Sequence, residues 1–151
     1  MKRILTLAAL PLMFAAGFYC ARSIPVVHAA APPLTAQIIN IPALSESDIS
    51  EIRPGTDLRA RNLAVADGAT VSVQSGDVAK HFHADANEIQ YIVAGSGKFT
   101  LGDTVHDIKP GDLIIIPKGT MHAGSQALSG RFRAIAFKTP PQAPDDTHFV
   151  P

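Results

Sequence analysis

The chain has 151 residues, 13 Lys and Arg against 13 Asp and Glu, and 46% of its residues are hydrophobic. That length fits one domain and that hydrophobic share supports a real core. The balanced charge, with no basic patch, excludes nucleic acid as a partner, and a lone cysteine, Cys20, excludes an intramolecular disulfide.

The N-terminus reads as an export signal. Lys2 and Arg3 form a basic start, residues 4–21 are an apolar run broken by Pro11, and Val27-His28-Ala29 offers small residues at a cleavage point. Residues 1–29 are therefore expected to be a signal peptide cut after Ala29. The mature protein would then lie in the periplasm or outside the cell, with no membrane attachment. An uncut N-terminal anchor is the alternative, because an 18-residue apolar run is at the short end of what spans a bilayer. Phe18 and Tyr19 precede Cys20, where lipid attachment wants small residues.

Residues 30–58 read as a linker and N-terminal arm. The segment 35–40 is a candidate edge strand. Ser45 with Asp48 three residues on suggests the cap of a short helix, stopped by Pro54-Gly55. From residue 59 the pattern is short strands at 59–66, 69–74, 79–83, 88–93, 97–101, 104–108, 112–116, 122–126 and 131–137. Turn residues punctuate them at Asp67-Gly68, Ser75-Gly76, Gly95-Ser96-Gly97, Gly102-Asp103 and Pro110-Gly111. Many short strands with regular turns predict an all-β sandwich or barrel over residues 59–138. The Pro-rich tail, 139–151, cannot continue a central strand.

Inside this pattern sit three histidines and one glutamate. His81 and His83 are two apart, so on a strand they share a face. The turn formers Asp85 and Asn87 predict a hairpin that returns Glu88 beside His83. His122 comes from a separate strand, reached through the turn at Pro117-Lys118-Gly119-Thr120. Neutral imidazoles with a carboxylate suit one divalent transition metal (Mn, Fe, Ni, Cu, Co or Zn) better than Ca or Mg. His81, His83, Glu88 and His122 are the candidate ligands. Gln90 shares the face of Glu88, and Gln126 that of His122, so both are expected near the metal. There they would orient a ligand or a bound water, or serve only as hydrogen-bonded core amides. Ile92 and Phe99 are candidate wall residues. Tyr91 falls on the opposite face, and His28, His106 and His148 are given no site.

The order Gly76, His81, His83, Glu88, Gly95, then Gly111, Pro117, Gly119, His122 and Gln126, resembles the two signature motifs of the cupin superfamily. Two departures stand out. Four residues rather than five separate Gly76 from His81, and Gln126 stands where the family has Asn; neither touches a ligand position. The resemblance implies a single-domain cupin, an antiparallel double-stranded β-helix or jelly-roll barrel, with a short N-terminal helix or strand. It also implies metal binding by the four candidate ligands. It does not fix a reaction, because cupins host many, and no catalytic acid or base is placed. A metal-dependent enzyme of oxygenase or isomerase type acting on a small oxygen-rich molecule is one expectation, and a non-catalytic ligand-binding or sensing module is the other. The expected partner is a small-molecule ligand or substrate; monomer or homodimer is left open.

Overall fold

The computed structural model describes residues 33–49, 51–52, 57–66 and 68–150. The expected signal peptide, 1–29, lies outside them. Among the described residues no helix is long and apolar enough to cross a membrane.

Among the described residues nine antiparallel strands form one curled sheet: β1 (Glu51–Ile52), β2 (Arg59–Ala66), β3 (Ala69–Ser75), β4 (His81–Phe82), β5 (Asn87–Leu101), β6 (Thr104–Ile108), β7 (Leu113–Ile116), β8 (His122–Thr139) and β9 (His148–Phe149). The path runs β1-β2-β3-β8-β4-β9, and β5 joins β8 to β6 and β7. The two long strands do most of the organising. The first half of β5 pairs with β7 and with the end of β8; its second half pairs with β6 and with the start of β8. The curl puts Ile92, Phe99, Ile108, Ile114, Ile116, Ala123, Phe132 and Ala134 together as the buried core.

The reason those strands are long lies in the glycines. Gly95-Ser96-Gly97 is expected to be a turn between two strands, yet β5 runs through it. A Cβ on Gly97 would stand 2.1 Å from the Gln126 carbonyl oxygen, and one on Gly95, where φ is 78°, would stand 2.6 Å from that of Arg131. Their role is close approach of two backbones at a bend, with register shifts on either side. The expected strands at 88–93 and 97–101 are therefore one element, as are those at 122–126 and 131–137.

The N-terminal arm differs from expectation. The segment 35–40 is irregular, with Leu34 and Ile38 exposed. A 3-10 turn, Ile41–Ala43, is followed by the capping pattern at Ser45: its N–H donates to Asp48 Oδ2 at 2.7 Å, and Asp48 N–H donates to Ser45 Oγ at 3.3 Å. No α-helix follows among the described residues. The chain enters β1 three residues later, too soon to repay the cost of nucleating one. What anchors the arm is ionic. Glu46 accepts from Ser75 Oγ at 2.9 Å, Arg133 at 2.7 Å and Arg131 at 3.2 Å, and lies 3.8 Å from Arg59. Arg133 also donates to the Leu44 carbonyl at 2.8 Å.

The Pro-rich tail does not leave the sheet idle. After β8 it turns back, and β9 pairs with β4, setting Phe149 opposite His81 and His148 opposite Phe82.

Candidate metal centre

His81 lies on β4, His83 just after it, Glu88 near the start of β5 and His122 at the start of β8. The direct pairing of His81 with His122, and the short turn from His83 into β5, gather all four. They are buried, from 6% exposed at His81 to 0% at His122. One donor atom from each lies within 4.8 Å of every other.

Each imidazole is held by its Nδ1. His81 donates to the Ala79 carbonyl at 2.9 Å, His122 to that of Thr120 at 2.9 Å, and His83 to that of Asp146. Backbone carbonyls accept only, so Nδ1 carries the proton and Nε2 presents its lone pair to the centre. Glu88 Oε2 sits 3.1 Å from His83 Nε2 and 3.3 Å from His122 Nε2. Its other oxygen accepts from Gln90 at 3.0 Å and Gln74 at 3.3 Å. Two amides thus fix the carboxylate plane and leave Oε2 for the centre.

The electrostatics fit a cation. His122 Nε2 is buried without a hydrogen bond, an arrangement that costs free energy unless something binds there. Burial, then the neighbouring His122, lowers the His81 pKa from 6.5 to about 4, so the ring stays neutral and able to ligate. Burial pushes the Glu88 carboxyl up, but the adjoining His122 and His83 rings and the charge of Lys138 together hold it well below the usual range. Neutral nitrogens beside an ionised carboxylate are the donor set of a divalent transition metal.

His81, His83 and Glu88 of the cluster form one wall of a cavity of about 400 Å³, lined also by Gln74, Gln90, Thr70, Ser72, Lys138 and the tail residues Gln142, Thr147 and Phe149. Gln90 is buried there, bonded to Glu88. Gln126 is not brought to the cluster. It is exposed, opposite Lys98, because β8 spends three residues from Ala123 to Gln126 where β5 spends two from Thr100 to Lys98. That bulge reverses the alternation set at His122. Ile92 and Phe99 belong to the core and do not line this cavity. His106 is exposed on β6, opposite Phe99.

Three contributors escape local pattern reading. Lys138 sits directly across from Glu88, continuing inward the buried positions Phe132, Ala134 and Ala136; one more step of that alternation would have found it. Gln74 follows Thr70 and Ser72 on one face of β3 by the same rule. Asp146 has no local signal. It is 3% exposed, and its carboxylate accepts from the N–H groups of Ala84 at 2.6 Å, Asp85 at 3.2 Å and Ala86 at 3.1 Å, which belong to the turn between His83 and Glu88. Those bonds hold its carboxyl below the usual range although burial alone would raise it.

Comparison with known proteins agrees with this geometry. The family described as Cupin domain matches residues 68–136. Acireductone dioxygenase from Stenotrophomonas maltophilia is 44% identical over 66 residues, 41% of this chain and 35% of that protein. Its counterpart from Xylella fastidiosa is 42% identical over the same extent. The chain thus spans about a third of these relatives' length. Among solved structures, ectoine synthase from P. lautus superposes with a TM-score of 0.57 at 16% identity, covering 76% of this chain and 91% of that one. A nucleoside dehydratase from Streptomyces does so with 0.56 at 20%, covering 77% and 92%. At such identities these two speak for the fold alone. Fold, motif and family match together make residues 68–136 of this chain a cupin domain.

Proposed function

We propose that this protein is a metal-dependent enzyme of oxygenase type acting on a small, oxygen-rich molecule. The observation that carries the reading is that four buried donor atoms lie within 4.8 Å of one another, and that three of their residues, His81, His83 and Glu88, line a cavity of about 400 Å³. A metal-ligand set at the wall of a space that size suits a small ligand bound against the ion. The distant likeness to acireductone dioxygenases supports the oxygenase class and an acireductone-like substrate.

A divalent ion held by His81, His83, Glu88 and His122 would supply Lewis-acid or redox chemistry. The chain's own groups do the remainder. The anchored Nδ1 atoms keep the three rings in one tautomer. Gln74 and Gln90 hold Glu88 oriented. Hydroxyls and amides on the cavity wall offer hydrogen bonds to substrate oxygens, and the tail covers the site on the side of Gln142 and Thr147.

The test is metal analysis of the purified protein, then oxygen uptake with acireductone and other small oxygen-rich acids, after loading Fe, Mn, Ni, Co, Cu or Zn in turn. Consumption that requires the metal and is lost in His83→Ala supports the enzyme. Tight ligand binding with no turnover under any metal would replace it with a binding module. We also propose that the protein works outside the cytoplasm, supported by Lys2-Arg3, the apolar run and the small residues before Ala30. N-terminal sequencing of exported protein should find Ala30 first; an intact Met1 in a membrane fraction would favour the anchor.

A further inference from the structure

We propose that the cavity beside the metal centre takes a small polyhydroxylated molecule, and that Asn62, Thr70 and Ser72 read its hydroxyls. This rests on the metal reading above and names the class of substrate that the site accepts.

The pattern of β3 is inverted for a buried sheet face. Thr70, Ser72 and Gln74 line the cavity, while Val71 and Val73 take the other face. Thr70 is 8% exposed and Ser72 5%. Polar groups taken this far from water cost free energy unless a hydrogen bond compensates them. Asn62, on β2 directly across from Ser72, adds a carboxamide to the same wall. The row reaches the metal centre, because Gln74 donates to Glu88 Oε1 at 3.3 Å. Ser72 stands two residues along the strand from it, about 7 Å by strand geometry. A short carbon chain bound at the metal would lie against these side chains.

The other neutral polar groups of the lining are already engaged. Gln74 and Gln90 donate to Glu88, and Gln142 accepts from Lys138 and donates to Thr147 Oγ1 at 2.5 Å. Among the described residues, the side chains of Asn62, Thr70 and Ser72 have no such partner. A hydroxyl or a carboxamide can both donate and accept, as a ligand hydroxyl does, so the two kinds of group satisfy each other. An apolar ligand chain would leave the wall unmatched and keep its desolvation cost. A purely structural role for Thr70 and Ser72 needs partners inside the protein and makes no demand on the ligand's hydroxyls.

Threonohydroxamate and butanohydroxamate separate the two roles. Both chelate a metal through the same pair of oxygens, and they differ only in the hydroxyls along the carbon chain. Wild type, Thr70→Val, Ser72→Ala, their double variant and Asn62→Ala are loaded with Ni, their metal content measured by mass spectrometry, and both probes titrated calorimetrically. Wild type should bind threonohydroxamate about tenfold or more tightly than butanohydroxamate, as several neutral hydrogen bonds predict. Each single variant should keep stoichiometric metal, lose about fivefold for threonohydroxamate and leave butanohydroxamate unchanged. The double variant should lose most of the preference. Equal affinity for both probes, or binding of neither, in metal-replete wild type overturns the proposal and leaves the metal reading intact. An undiminished preference in the double variant overturns it equally. Wild type without metal overturns both. If the variants at Thr70 and Ser72 do not fold, wild type and Asn62→Ala decide, because Asn62 is exposed; an undiminished preference in Asn62→Ala then overturns the assignment.

Discussion

Two carboxylates in this molecule are each surrounded by nitrogen, and they do opposite things. Glu46, 37% exposed, is shared by Arg59, Arg131 and Arg133, guanidiniums that never lose their charge. Glu88, 1% exposed, faces His83 and His122, whose Nε2 atoms present lone pairs. In the first cluster three guanidiniums converge on one carboxylate, and the result is an arm pinned to β3 and β8. The second is incomplete, with His122 Nε2 left over. Similar atoms at similar distances hold a fold together in one place and leave room for chemistry in the other. What separates them is burial and the charge state of the nitrogens.

That contrast can be broken at its strongest point. His83→Ala should abolish stoichiometric metal while the sheet stays folded, read by metal analysis beside circular dichroism. Full metal content in that variant would mean the four residues are not the ligands. Asp146→Ala should follow. It strips the acceptor from three N–H groups in the ligand turn, so we expect a loss of about 1–3 kcal/mol in unfolding free energy. Metal affinity should weaken about tenfold or more, because support for a ligand is lost. Unchanged affinity would reduce the tail to a bystander.

Acid should separate the clusters next. In the metal-free protein His81 has a pKa of about 4 against 6.5 for the unfolded chain. Between those values the unfolded chain takes up a proton that the folded one refuses, so stability falls as pH drops from about 6.5 to about 4, then levels for this group. Glu88, held well below 4.5, contributes stability above that value and loses it below, in the same direction. Denaturant unfolding of metal-free protein across that window measures the slope; a flat profile would refute the buried neutral ring. The smallest effect belongs to the exposed cluster. Glu46→Ala should cost about 1 kcal/mol or less, shrink further in high salt, and leave metal content untouched.

The sequence showed the ligands because their spacing is local: His81 and His83 share a strand face, and one turn returns Glu88. It showed β6 to the residue for the same reason, an uninterrupted alternation between two turns. Where it misled, the determinant was distant or doubled in meaning. Gly95 and Gly97 look like turn residues but answer to β8 passing against them. Gln126 loses its expected face to one extra residue in β8. Ser45 and Asp48 form their capping bonds without a helix to cap. Asp146 acts 60 residues away from Ala86, beyond any window of local periodicity.

The wall formed by Gln142, Thr147 and Phe149 lies beyond residue 136, where the family match ends. The donors thus lie inside the matched domain and this wall outside it. A lineage could exchange the last dozen residues, altering which molecules are admitted, while leaving the metal ligands as they are. It could not do so freely, because the same stretch holds the ligand turn through Asp146. Any replacement must bring its own acceptor for those three N–H groups, and that requirement sets how fast ligand choice can drift on this scaffold.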